Sequence, residues 1–204
     1  ISVAEDAVFT APKCRTQEQV RLLGKVRPKH LVERIDQFKA EKDNIYQFEK
    51  YPEDEFWILT DVDQNWSSQL IDPQNAKTYK DEWDDAIAAC DEKGYHYAVS
   101  NPFFEIWLLL HHDQPSEEDK SFAVSDSHSY EKTSHSRTRQ SELGAPLKDK
   151  KHINFSNYND EKIKTAVHRA EELHVDKTDM CPRYFATTVY LLLKKIFEML
   201  PEEI

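Results

Sequence analysis

Glycine is nearly absent, with only Gly24, Gly94 and Gly144 in 204 residues. Loops that wrap a phosphate with closely approaching backbone amides need several glycines at short spacing, so nucleotide chemistry of the Walker or Rossmann kind is excluded. Cysteine is equally sparse. Cys14, Cys90 and Cys181 lie far apart and form no CxxC, which suggests neither a zinc cage nor a disulfide framework and leads us to expect a reducing, cytoplasmic setting. The longest apolar runs, Ile106 to Leu110 and Val189 to Leu193, fall well short of the ~18 residues of a membrane span, and no basic-then-apolar leader opens the chain. No membrane partner is expected. Positive charge is also in deficit, 27 Lys and Arg against 38 Asp and Glu for a net of −11. That balance argues against a protein held on DNA by a uniform positive field, while leaving room for local basic patches.

What is present is a core. At 39% hydrophobic and 11% aromatic, the chain can bury enough apolar surface to fold, and its length fits one domain over residues 1–204. Residues 1–10, ISVAEDAVFT, are β-branched enough for a strand. From Lys13 to His30 there are six Lys or Arg against one Glu, a local net of +5. Pro28 suits a first helical turn, and Leu31, Val32, Ile35 and Phe38 share one helical face, so a helix is predicted over 28–42. Phe56 to Asp63, FWILTDVD, is an apolar run that ends in two acids, the pattern of a buried parallel strand with a site at its carboxyl end. Tyr79, Trp83, Ala86, Ile87 and Cys90 predict an amphipathic helix over 76–93, stopped by Gly94. A second short strand follows at 94–100, and Asn101 and Pro102 then open a helix containing FFEIWLLLHH. Strand, helix, strand, helix predicts an α/β layer with a parallel sheet.

Residues 113–152 lose periodicity and are rich in Ser, Asp, Glu, Lys and His. Such a stretch is longer than an ordinary connection, so it is expected to be mobile, functional or both. Helices are predicted over 159–174 and 182–200, covering the sheet.

The candidate site centres on Asp61 and Asp63. Residues two apart on a strand share a face about 6 to 7 Å apart, so both carboxylates can converge on one divalent cation or a pair of them. Two such acids repel unless a cation lies between them, and hard oxygen ligands suit Mg²⁺ or Mn²⁺. Two solvated acids at a strand end is the plainer alternative. Glu105 is expected on the first turn of the helix after the second strand, where it can complete the metal site or hold Asn101 in place; alternatively it only stabilises a helix amino terminus. His111 and His112 either approach the metal or a scissile phosphate, or complement the dipole of a helix end. Phe103, Phe104 and Trp107 share helical spacing with Leu108 and Leu110 and are expected in the core.

Between Lys132 and His152 there are six Lys or Arg against Glu142 and Asp149, a local net of +4. Lys132, Arg137, Arg139, Lys148, Lys150 and Lys151 are candidates for gripping a nucleic-acid backbone, and Lys150 or Lys151 for stabilising developing phosphate charge. A solvated loop accounts for the same charges.

Taken together, the strand ending in DVD, the acidic helix after it and AVSNPFFEIWLLLHH resemble the RloB-like proteins, among them the AbiLii-type components of phage abortive infection. LKDKKHI at 147–153, KIKTAVHRAEEL at 162–173 and RYFATTVYLLLKKI at 183–196 extend the resemblance, which spans roughly 28–200. The resemblance implies a single Toprim-like core, a parallel sheet flanked by helices with a long polar loop and C-terminal helices. It further implies Mg²⁺-dependent phosphodiester hydrolysis of DNA or RNA, with Asp61 and Asp63 at the metal and a partner ATPase of the AAA or ABC type. One departure stands out. Such proteins carry a Glu after their first strand in an EGxTE-like turn, and this sequence has none; Glu5 is nearest by position, but no Gly follows it. The expectation is that this first strand and its Glu were lost from the chain or were never part of it. In that case a non-catalytic module binding nucleic acid or the ATPase is the alternative, and the oligomeric state stays open because an exposed sheet edge could pair with another chain. A small-molecule phosphohydrolase using the same acids fits less well, since so long a basic loop exceeds what a small substrate requires.

Overall fold

The computed structural model describes residues 7–11, 19–22, 28–40, 54–62, 68–120, 157–182 and 185–199. Among them, strands β1 (Ala7–Ala11), β2 (Gln19–Leu22), β3 (Glu55–Asp61), β6 (His96–Asn101) and β7 (Ala186–Thr187) form one sheet in the order β2-β1-β3-β6-β7. A separate hairpin pairs β4 (Leu70–Asp72) with β5 (Lys77–Thr78). The helices are α1 (Pro28–Ala40), α2 (Tyr79–Lys93), α3 (Glu105–Leu110), α4 (Asp160–Leu173) and α5 (Val189–Met199). The fold is mixed α/β, and the expectation of a parallel sheet needs correction. Only β3 and β6 run parallel, while β1 lies antiparallel to both β2 and β3, and β7 antiparallel to β6. The physical reason is connection length: β3 and β6 are joined through the α2 crossover that a parallel pair requires, whereas β1 and β2 are close enough in sequence to turn back on each other.

β3 is apolar from Phe56 to Leu59 because both of its faces are covered. Trp57 and Leu59 pack with Ala98 of β6 against α3, α4 and α5. Phe56 and Ile58 face the other way, onto Leu31, Val32 and Ile35 of α1 and Cys90 of α2. The Trp57 indole N–H, which burial would otherwise orphan, donates to Glu55 at 3.0 Å. α1 and α2 are tied by Asp36, which accepts from Lys93 Nζ and from the Tyr95 hydroxyl, each at 2.7 Å. Burial alone would raise the Asp36 pKa, but these two hydrogen bonds and the positive charge of Lys93 lower it. Because the pair with Lys93 is half exposed, Asp36→Ala is expected to cost only about 1 kcal/mol in urea unfolding. A loss above roughly 3 kcal/mol would mean that Asp36 does more than clamp two helices.

α2 begins three residues later than the periodicity suggested, because Lys77 and Thr78 pair with the 70–72 strand. The hairpin turn is built by Asp72, whose carboxylate accepts from the backbone N–H of Gln74 and Asn75 and from the Asn75 amide. Such side-chain mimicry of a turn favours Asp at this position. Thr78 then caps α2 in a reciprocal capping box with Asp81. At the other end Gly94 adopts φ 67°, and its N–H bonds the Asp91 and Cys90 carbonyls. A Cβ there would meet no atom within 4 Å, so Gly94→Ala is expected to cost about 1 kcal/mol from backbone strain alone, read as a lowered urea midpoint.

The peptide between Asn101 and Pro102 is cis, and Phe103 with the residues from Ile106 to Leu110 is buried as expected. Within the stretch expected to be mobile, functional or both, residues 117–120 form a helical turn. Ser116 and Asp119 cap it reciprocally, and Asp119 is fully buried; residues 121–152 lie outside the described residues. α4 starts as predicted, with Asn159 accepting from the Lys162 N–H at 3.0 Å. The helix expected over 182–200 is corrected: Ala186 and Thr187 join the sheet as β7, and α5 begins only at Val189. Successive β-branched residues there stiffen the chain toward the extended form, and a sheet edge is available to accept it. Among the described residues no helix is long and apolar enough to cross a membrane.

Candidate functional site

The parallel pair brings Asp61 and Ser100 side by side at the carboxyl ends of β3 and β6. Alternation along β3 puts Asp61 on the face of Trp57 and Leu59, beneath α3, α4 and α5. Its side chain is half-buried. Ser100, 1% exposed, hydrogen-bonds through its hydroxyl to Thr187 Oγ1 at 2.9 Å, and Ser100 is paired in register with Thr187. One row of oxygen-bearing residues thus crosses three strands. Asn101 faces the opposite side, where its amide donates to the Pro182 carbonyl at 2.6 Å; that contact gives Asn101 a positioning partner other than the expected Glu105.

Glu105 is the first residue of α3 and half-buried. α3 packs on the Trp57 and Leu59 face, which is also the Asp61 face. Of the expected metal ligands, Asp61 ends β3 and Glu105 opens α3, and Asp63 lies outside the described residues. Among the described residues no three His, Cys, Asp or Glu side chains gather as a metal-holding group. The Asp61 carboxylate is the kind of oxygen donor a hard cation takes, while the buried Ser100 and Thr187 hydroxyls are occupied with each other. Lys132, Arg137, Arg139, Lys148, Lys150 and Lys151 also lie outside the described residues.

His111 is 5% exposed, edge-on to Trp107 and Tyr158, with its Nδ1 2.8 Å from the Trp107 carbonyl. Burial pushes its pKa down to about 4, against a weaker opposing effect of the hydrogen bond to Trp107. The imidazole is therefore neutral near pH 7, and it serves the end of α3 as a hydrogen-bonding group and not as a charge. Burial, with Lys162 and Arg169 nearby, lowers the His112 pKa too. The sign of the pH effect follows. Below the unfolded value of about 6.5 the unfolded chain takes up protons that these histidines refuse in the native state, so stability falls as pH drops from 6.5 toward 4. A loss of a few kcal/mol over that window is expected from urea unfolding, and His111→Gln should flatten it. An unchanged slope in the variant would reject His111 as the source.

On the α2 side, opposite Asp61, Trp83 packs under Val62 and Val99. A cleft of about 570 Å³ opens beside it, lined chiefly by Lys80, Trp83, Ile87, Asp91, Asp179 and Cys181. Burial raises the thiol pKa of both Cys90 and Cys181 to about 12, so neither is a reactive nucleophile.

Sequence reasoning missed Thr187 and Thr188. Thr188 exchanges two hydrogen bonds with Val99, its N–H to the carbonyl and its Oγ1 from the N–H, each at 2.8 Å, and both threonines are fully buried. The available signal was two adjacent threonines inside an otherwise apolar segment, each needing a partner once buried.

The model of the RloB-like protein family matches residues 6–196. The chain belongs to the RloB-like family. No curated protein and no solved structure matches it.

Proposed function

We propose that this chain carries a Toprim-like core and hydrolyses phosphodiester bonds of DNA or RNA with Mg²⁺ or Mn²⁺, as part of an anti-phage abortive-infection system. The observation that carries the reading is the position of Asp61, half-buried at the carboxyl end of β3 in the parallel pair, on the face against which α3 begins with Glu105. Ligands of α/β sheets bind at that end of the strands. Asp61 and Asp63 would hold the cation with help from Glu105. The cation would supply charge stabilisation at the phosphoryl oxygens and a more acidic water. Lys150 would stabilise charge developing on the phosphate, while Arg137, Arg139, Lys148 and Lys151 would position the backbone through charge. An ATPase of the AAA or ABC type would be the partner that restrains or releases the activity. The second reading is a non-catalytic module that binds nucleic acid or the ATPase without cutting.

The test is Mg²⁺- or Mn²⁺-dependent cleavage of plasmid DNA and total RNA, with and without the ATPase, beside an Asp61→Ala/Asp63→Ala control. Cleavage that disappears in the double variant supports the nuclease and identifies its polymer. Absence of cleavage with nucleic-acid or ATPase binding intact supports the non-catalytic module.

A further inference from the structure

We propose that His112, Lys162 and Arg169 form a phosphate-binding site where the end of α3 meets α4. The chain has a net charge of −11, and lysines such as Lys77, Lys93, Lys194 and Lys195 each hold a carboxylate. Lys162 and Arg169 do not. Lys162 Nζ donates to the Asn157 carbonyl at 3.1 Å and Arg169 Nη1 to the Leu110 carbonyl at 2.8 Å, and neither forms an ion pair among the described residues. Both are half-buried, where a cation without a counter-charge is costlier than in open solvent. They share one face of α4 at positions i and i+7, with Ala166 of the core between them.

His112 is the third group. It follows α3 with its N–H on the Leu109 carbonyl at 2.8 Å, two residues after the Leu110 that Arg169 holds. Its ring stands edge-on to Tyr158, centroids 5.4 Å apart, next in the chain to the Asn157 that Lys162 holds. Both positive charges reach the imidazole. Its Nε2 is buried and has no hydrogen-bond partner, a state in which a polar atom calls for one. The acids adjoining in sequence are already engaged, since Asp113 accepts from the Gln114 N–H and Glu172 from the Gln114 amide. An oxyanion supplies what is missing at all three places, an acceptor for the imidazole N–H and negative charge for two cations. Phosphate is the class that fits. Its oxygens accept several donors at once, and Lys and Arg exchange neutral carbonyls for them in stronger, charge-assisted bonds. The group can come from a nucleic-acid backbone or as a free phosphate, and the site needs no metal.

Two probes of the full chain separate these sources. One is metal-free binding of a labelled single-stranded oligonucleotide against salt concentration; the other is the urea midpoint in inorganic phosphate against chloride at equal ionic strength. Lys162→Gln should weaken oligonucleotide binding about 10-fold and make the slope of log K against log salt shallower by about 0.7, the share of one phosphate contact on a single strand. Lys162→Arg should keep both. His112→Phe keeps a ring against Tyr158 and removes the unpartnered nitrogen, so it should unfold at the same or a higher urea concentration while binding more weakly, a pairing that loosened packing would not produce. If the variants instead lose the extra stability in phosphate and bind the oligonucleotide at wild-type strength, the ligand is a free phosphate. Wild-type values of both readings in folded Lys162→Gln and His112→Phe would overturn the site, as would a wild-type chain that responds to neither probe. Should His112→Phe not fold, Lys162→Gln decides alone. Oligonucleotide binding that depends on these residues, in a chain that cleaves nothing with its ATPase present, would leave the site standing while the nuclease reading fails.

Discussion

On the proposed nuclease reading, Asp61→Asn should reduce Mg²⁺-dependent cleavage at least about 100-fold while leaving the fold intact. The substitution preserves shape and removes one formal charge at a half-buried position on the end of β3. An amide oxygen is a weaker ligand for a hard cation than a carboxylate, and it cannot offset the positive charge. Because the side chain keeps its shape, the metal-free variant should melt close to the wild-type temperature. The paired result matters. Lost cleavage with unchanged or raised stability identifies a functional acid, and full cleavage by a folded Asp61→Asn would remove Asp61 from the site.

Trp83→Ala should have the largest effect on stability, about 3–5 kcal/mol by urea unfolding. Trp83 is 1% exposed and sits on α2 against Val62 and Val99. Its removal opens a space that Ile87 and Tyr97, also packed there, cannot fill without leaving their own contacts. Val62 follows Asp61 directly and donates its N–H to the Ser100 carbonyl at 2.9 Å. Loss of the indole therefore loosens the strand end that carries Asp61, and on the proposed metal site Mn²⁺ binding should weaken together with stability. A cost below about 1 kcal/mol would show that the indole is not the support of that strand end.

Much of the scaffold can be read locally. The capping of α4 by Asn159 and the stop of α2 at Gly94 depend on neighbouring residues, so side-chain chemistry and backbone freedom within a few positions suffice to place them. The same holds for β3, where an uninterrupted apolar run requires cover on both faces. The β4–β5 hairpin was missed because its strands are three and two residues long, too short for a period to register. β7 was missed because two extended residues ahead of an apolar helix look like its first turn until a sheet edge is there to pair with them.

The candidate site divides along the same line. Sequence by itself determined family membership, the acid at the end of a buried strand and the acid opening the next helix, since each is a matter of residue type in a local pattern. Only the tertiary structure decided that the sheet is mixed, that Asp61 stands beside Ser100, and that His111 is neutral. It also joined Ser100 to Thr187, 87 residues apart along the chain. Strand direction and register are set by long-range pairing, and the proton on a buried imidazole by the dielectric around it; neither quantity exists until the chain has folded.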